Sequence, residues 1–296
     1  MNKALLAWLP IMAVSPALAD EPERFSADDV FELEYAADPR ISPDGTQIVY
    51  ERRSNDIMTD GTRSNLWIID TDGDNHRPLV SGTASASSPR WSADGGRIAY
   101  VQPTDTGTGL FVRWLDTGQT GLVANLQKSP SDLSWSPDGR WLAFTMSVPA
   151  KSEPLAKPRS KPEGAEWSEP VTVIDSPRYR WDGRGFLEPA YTHIFVVPSD
   201  GGTPRQVTGG DFDHGGALAW TPDSGAIIFA ANRNEGWQLE SGEYDIFSLS
   251  VGDGALTRLT ERQGGERSPV ASPNGRYIAY VSNPNQPVAY NPSRLH

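Results

Sequence analysis

The sequence has 296 residues, with 26 basic against 38 acidic side chains and a formal net charge of -12, so phosphate backbones and anionic lipid surfaces repel it and no nucleic-acid partner is expected. Gly 28 and Pro 25 place a helix breaker at about every sixth position, which rules out a helical bundle. Cysteine is absent, and with it disulfides, thiolate metal sites and a cysteine nucleophile.

Lys3, the apolar stretch from Ala4 to Val14 and the small-x-small triplet Ala17-Leu-Ala19 read as a cleavable secretory leader over residues 1–19, processed between Ala19 and Asp20. The stretch is too short to cross a bilayer and no later run is long enough. The expected protein is exported, periplasmic or extracellular, with no membrane span. Residues 20–37 read as a lead-in.

From there one hairpin sequence recurs five times: Pro39-Arg-Ile-Ser-Pro-Asp-Gly-Thr-Gln-Ile-Val-Tyr50, Pro89 to Tyr100, Leu133 to Phe144, Leu218 to Phe229 and Pro269 to Tyr280. In each, an apolar-alternating run enters a turn in which Asp or Asn bonds back to the backbone and Gly accepts a positive φ, and a run rich in Ile, Val and aromatics leaves. Partner segments such as Leu66-Trp-Ile-Ile-Asp70, Leu110 to Trp114, Ile194 to Pro198 and Ile246 to Ser250 lie between them, and polar-apolar tails such as Pro204 to Thr208 follow. One unit therefore holds four strands.

The markers Asp44, Asp94, Asp138, Asp223 and Asn274 stand at intervals of 50, 44, 85 and 51 residues. Four short strands at a period in the forties to fifty predict an all-β fold, a β-propeller of four-stranded blades. About five blade units fill residues 38–282, an incomplete ring. The long interval contains a Pro-rich insertion at 149–189, and residues 283–296, with three Pro and three Asn, read as an irregular tail. The chain stops inside a blade, which predicts a truncated product or the first part of a larger protein.

The segments Phe25-Ser-Ala-Asp-Asp-Val-Phe, Asp38-Pro-Arg-Ile-Ser-Pro-Asp-Gly, Lys161 to Trp167, Tyr179 to Phe186, His193 to Gly202 and Ala231-Asn-Arg-Asn-Glu-Gly-Trp237 resemble the exported dipeptidyl and acylaminoacyl peptidases of the prolyl oligopeptidase family. The resemblance implies an N-terminal propeller that screens peptides for a C-terminal α/β-hydrolase domain. Its partners would be peptide substrates or that hydrolase domain. The Ser-Pro-Asp-Gly hairpin is shared with TolB-type propellers, so the alternative is a stand-alone periplasmic scaffold that binds proteins or peptides.

An α/β-hydrolase nucleophile sits in a Gly-x-Ser-x-Gly elbow, and the sequence has none. His76, His193 and His214 fall in blade turns or strand starts and His296 is the last residue, so no catalytic residue is assigned and the chain is expected to be inactive alone. No cofactor and no metal is expected. In the Asp70-Thr-Asp-Gly-Asp-Asn75 run, Gly falls at the fourth place and Ser81 at the twelfth, which fits a strand-connecting turn rather than a calcium loop. The repeated Trp91, Trp135 and Trp220 read as filler between blades. The candidate binding residues lie on the non-repeating insertion: Glu163, Glu166, Trp167, Arg178, Arg180, Asp182 and Arg184.

Overall fold

The computed structural model describes residues 24–150, 159–168, 173–174, 176–240, 242–284 and 292–296. The leader with its Ala19 to Asp20 junction and part of the insertion lie outside the described residues.

Five antiparallel sheets follow one another along the chain. The first blade comprises β1 (Glu34–Ile41), β2 (Gln47–Asp56), β3 (Gly61–Asp70) and β4 (Arg77–Val80). The second comprises β5 (Ser87–Trp91), β6 (Arg97–Thr104), β7 (Gly107–Trp114) and β8 (Thr120–Leu126). In the third, β9 (Ser131–Trp135) and β10 (Trp141–Pro149) are separated by the insertion and its hairpin, β11 (Arg180–Trp181) and β12 (Gly185–Phe186), from β13 (Ala190–Pro198) and β14 (Arg205–Gln206). The fourth comprises β15 (His214–Trp220), β16 (Ala226–Ala231), β17 (Asp245–Ser250) and β18 (Leu256–Arg258), and the fifth β19 (Gly264–Ala271), β20 (Ile278–Pro284) and β21 (Arg294–Leu295). These are propeller blades, all-β as the repeat predicts, and the described residues do not close a ring.

Two expected boundaries shift. The first blade begins at Glu34, within the lead-in, after a short 3-10 helix at Asp28–Glu32. In the tail, β20 extends to Pro284, and Arg294 and Leu295 pair with Ser282 and Val281. Backbone pairing supplies the reason: the free edge of β20 presents N–H and C=O groups that a polar segment satisfies as well as an apolar one.

The turns show why the repeat is written as it is. In the first, the Ser42 hydroxyl donates to Asp44 Oδ1 at 2.6 Å, the Thr46 amide donates to the same oxygen at 3.1 Å, and the Gln47 amide donates to Ser42 Oγ at 2.9 Å. The same three bonds recur at Ser136, Asp138, Arg140 and Trp141 and around Asn274. At Asp138 desolvation acts to raise the carboxyl, but the bonds from Ser136 and Arg140 prevail and hold it at about 2. In the fourth turn Ser224 takes the positive-φ place held elsewhere by Gly, at φ 61. Its hydroxyl accepts the Asp138 amide of the preceding blade at 3.1 Å, a contact no glycine makes.

The core lies in the seams between blades. Along β10, Leu142 and Phe144 face the second blade and Ala143 faces the fourth. Along β13, Phe195 and Val197 face the second, and Ile194 and Val196 the fourth. Successive strand residues point to opposite faces, and both faces are covered, so the central strands are continuously apolar. The seams of the first with the second blade and of the fourth with the fifth hold smaller clusters, around Leu66, Ala86 and Tyr100 and around Ile228, Ala230 and Ile246. Two of the repeated tryptophans also bond across seams: Trp91 Nε1 donates to Arg40 O at 2.9 Å and Trp135 Nε1 to Arg90 O at 3.0 Å. Among the described residues no helix is long and apolar enough to cross a membrane.

Candidate functional site: the inner strands and the insertion

The first strand of every blade carries a bulge. One residue there has a positive φ: Asp38 at 46°, Ser88 at 56°, Asp132 at 52°, Gly216 at 81° and Ser268 at 53°. Non-glycine residues enter this region at a cost and only when the surroundings over-determine them. Here the bulges bend the inner strands and turn polar groups into the space those strands border. Asp38 receives Arg90 Nη1 at 2.6 Å and pairs with Arg40. Glu51, buried, accepts the Ser88 amide at 2.7 Å. Asp132 accepts the Thr145 hydroxyl at 2.8 Å. These residues were not among those the sequence singled out, although a signal existed: Asp38, Ser88, Asp132 and Ser268 all stand six places before the turn marker.

Two cavities lie along these strands. One, of about 640 Å³, is bordered by Arg40, Arg90, Trp91, Asp132 and Trp135. The other, of about 630 Å³, lies between the third, fourth and fifth blades and is bordered by Asp132, Thr145, Asp213, His214, Tyr244 and Glu266. They share Asp132 and Ala217.

One wall of the second cavity is a charged cluster. His214 is fully buried and stacks on His193 with ring centroids 5.3 Å apart. Arg233 Nη1 lies 2.5 Å from His214 Nε2. A guanidinium only donates, so Nε2 accepts and the ring proton sits on Nδ1, facing Thr192 O at 3.3 Å. Burial first, and the Arg233 charge second, hold His214 down at about 4, a neutral ring at physiological pH. Asp213 accepts the Thr192 amide at 2.9 Å. The loop after β16 backs the cluster, with Arg233 over Phe212 at 4.5 Å and Trp237 Nε1 donating to Asp211 O at 3.0 Å.

Of the insertion residues, Arg178 reaches this cluster. It lies 3.6 Å from Asp213 Oδ2 and 6.0 Å from the Trp237 ring. Glu163, Glu166 and Trp167 are exposed in the described stretch 159–168. Arg180, Asp182 and Arg184 are exposed on the β11–β12 hairpin, beside the exposed rings of Trp181 and Phe186. The structure thus brings one of the seven to this cluster and leaves six facing solvent. The Asp70 to Asn75 run is a turn in which the Asp74 amide donates to Asp72 Oδ1 at 3.0 Å. Among the described residues no three His, Asp or Glu are grouped to hold a metal ion.

Comparison with known proteins agrees with this architecture. Residues 46–153 match the TolB beta propeller domain and residues 182–288 the dipeptidyl peptidase IV N-terminal region. A Bacillus subtilis protein named as an uncharacterized peptidase, YuxL, is 29% identical over 211 residues, covering 71% of this chain and 31% of that protein. The Dipeptidyl-peptidase 5 of Porphyromonas endodontalis is 28% identical over 259 residues, 82% of this chain and 36% of that protein. The chain thus spans about a third of the length of these relatives. Among solved structures, Pyrococcus horikoshii acylaminoacyl peptidase superposes with a TM-score of 0.66 at 16–17% identity, over 90% of this chain and 38–39% of that one. The putative TolB from Agrobacterium tumefaciens gives 0.53 at 18% identity, over 88% and 76%. At that identity the likeness is one of fold. The chain carries a β-propeller region of the kind found in the N-terminal part of dipeptidyl and acylaminoacyl peptidases.

Proposed function

We propose that this propeller is the non-catalytic, substrate-gating part of an exported peptidase of the prolyl oligopeptidase family. It holds peptides in the space along its inner strands while a hydrolase domain performs the cleavage. The observation that carries the reading is the cavity of about 630 Å³ bordered by the inner strands β9, β15 and β19, on a chain whose residues 182–288 match a dipeptidyl peptidase N-terminal region. Such a cavity is in the size range that accepts a small ligand. The chemistry is assigned elsewhere because an activated serine needs a base and an oxyanion site, and the sequence has no Gly-x-Ser-x-Gly elbow.

Two measurements test this. Isothermal titration of the purified chain with short peptides should give saturable binding, and a fluorophosphonate serine probe should leave the folded protein unlabelled. Labelling at one serine overturns the non-catalytic role, and absence of any peptide binding overturns the gating role. Export is part of the proposal: mass spectrometry of protein secreted by the expressing cell should find Asp20 as the first residue.

A second reading is a TolB-type scaffold for protein partners. It is supported by the match of residues 46–153 and by a Francisella tularensis Tol-Pal system protein TolB, 24% identical over 80% of this chain and 55% of that protein. Capture of a folded periplasmic protein, with no affinity for free peptides, would favour it.

A further inference from the structure

Glu266 is the least satisfied polar side chain on the cavity wall. It is fully buried, and neither carboxylate oxygen receives a hydrogen bond. Its one charged neighbour is Arg262, whose Nε stands 3.7 Å from Oε1, too far for a hydrogen bond. The main chain that carries the carboxylate is held in place. The Glu266 amide donates to Tyr244 O at 2.9 Å, the Gly264 amide donates to Glu243 Oε2 at 2.9 Å, and a Cβ on Gly265 would come within 2.9 Å of Gly242 O. The strand start is therefore clamped on its neighbour, which fixes the main chain from which Glu266 projects.

A buried carboxylate without donors is costly, and such a charge is kept where a cation completes it. The other acidic groups on the same wall, Asp132 and Asp213, already accept bonds from Thr145 and from the Thr192 amide. His214 is occupied by Arg233. Arg267, the remaining cation on the wall, is bound to Asn283 and Ser293. The lining also includes Tyr244 and the small or aliphatic Ala217, Ala230 and Gly215, with the Thr145 and Thr192 side chains. A single acceptor without a donor, on a wall whose other charged groups are already partnered, suits a ligand with an aliphatic stem and a terminal cation better than a compact metal ion, which needs several ligands.

The geometry points to a subsite for the lysine side chain of a peptide, its stem along the wall of Ala217 and Ala230 and its ammonium donating to Glu266. This deepens the proposed peptide-gating role and rests on it. A terminal amino group offers the same ammonium without the stem, so the test separates the two sources.

Three probes are titrated into the full chain at low ionic strength: an N-acetylated Gly-Lys-Gly amide, its norleucine counterpart, and a Gly-norleucine-Gly amide with a free terminus. The expected result is that the lysine peptide binds about 10- to 100-fold more tightly than the other two, the loss expected for one charged hydrogen bond. Glu266→Gln should bring the lysine peptide to the norleucine level while leaving the melting temperature equal or higher, because a buried charge that receives no hydrogen bond has been removed. A structural role for Glu266 would lower the melting temperature instead. Asp105→Asn, on the exposed turn between β6 and β7, should change nothing. Should Glu266→Gln fail to fold, carbodiimide coupling of the lysine probe to the unmutated chain should form an amide at Glu266, located by peptide mapping; coupling confined to surface carboxylates overturns the inference. Equal affinity of the lysine and norleucine peptides overturns the subsite and leaves the gating role standing, tighter binding of the free-terminus probe overturns the lysine assignment, and no binding by any probe overturns the gating role itself.

Discussion

The seams on either side of the third blade are built from the same repeat and joined differently. Toward the second blade, Trp135 Nε1 donates to Arg90 O and the ring lies under Arg97 at 4.7 Å. Toward the fourth, Trp220 occupies the same repeat position, yet its Nε1 is buried without an acceptor. The inner strands explain part of this. In β9 three steps, Ser131 to Ser134, oppose two on β10, whereas in β15 four steps, Gly215 to Ala219, oppose two on β16. The fourth blade thus enters its seam one residue out of step. That seam is tied by other bonds, the Asp138 amide to Ser224 Oγ and Arg205 to Val251 O. A repeat conserves the shape that fills a seam more firmly than it conserves the hydrogen bond that locks it.

The largest effect expected is on the apolar filling that both seams share. Phe144 is fully buried and stacks on Phe195 at 5.6 Å, and Phe229 is fully buried beside Phe247 at 6.1 Å. Phe144→Ala and Phe229→Ala should each cost about 3–5 kcal/mol in urea unfolding. A difference between them of more than about 2 kcal/mol would mean the seams differ in packing as well as in bonding.

Acid should act next, and on one seam. His214 has its folded pKa depressed to about 4 from 6.5, so its contribution is present above about pH 6.5 and is lost as pH falls through about 4. The shift corresponds to about 3 kcal/mol at most. Below that window the turn carboxylates Asp44, Asp94, Asp138 and Asp223, all depressed, lose their support in turn. In His214→Gln the loss between pH 6.5 and 4 should shrink to the part left by His193, whose pKa is also lowered by burial, while the lower one remains. A single unchanged transition would show that His214 is not neutral in the folded state.

Smaller still is the pair that isolates the indole bond. Trp135→Phe removes a made hydrogen bond and should cost about 1 kcal/mol more than Trp220→Phe, where an unsatisfied donor is removed. Equal losses would show that the Trp135 bond contributes nothing. Last, Arg178→Ala should change stability by about 0.5 kcal/mol or less, since its pairing with Asp213 is long and solvent-exposed. A loss above 1 kcal/mol would make the insertion part of the seam.

The seven insertion residues and the five bulge residues illustrate how legibility depends on repetition. Charge and aromatic content on a non-repeating loop mark Arg178 and its neighbours, but whether such side chains touch anything is a matter of how the loop folds back, and of the seven only Arg178 meets the cluster around Asp213. Asp38, Ser88, Asp132 and Ser268 carry no signal singly, because each is a small polar residue before an apolar strand. Their shared place in the repeat marks them.

By itself the sequence determined the blades. The Ser-Pro-Asp-Gly turns close through bonds between residues at most five apart, and alternation along each strand fixes which side chains enter which seam. Local chemistry suffices for both. The site was decided by tertiary structure alone. Glu266, His214 and Asp132 lie on three different blades and border one cavity, and nothing local in Gly-Gly-Glu or Asp-His-Gly announces that. Their meeting depends on the curvature that the seams impose and on bulges whose register differs by a residue between blades. Those quantities are sums over many side-chain contacts, so they exist only once the blades have packed.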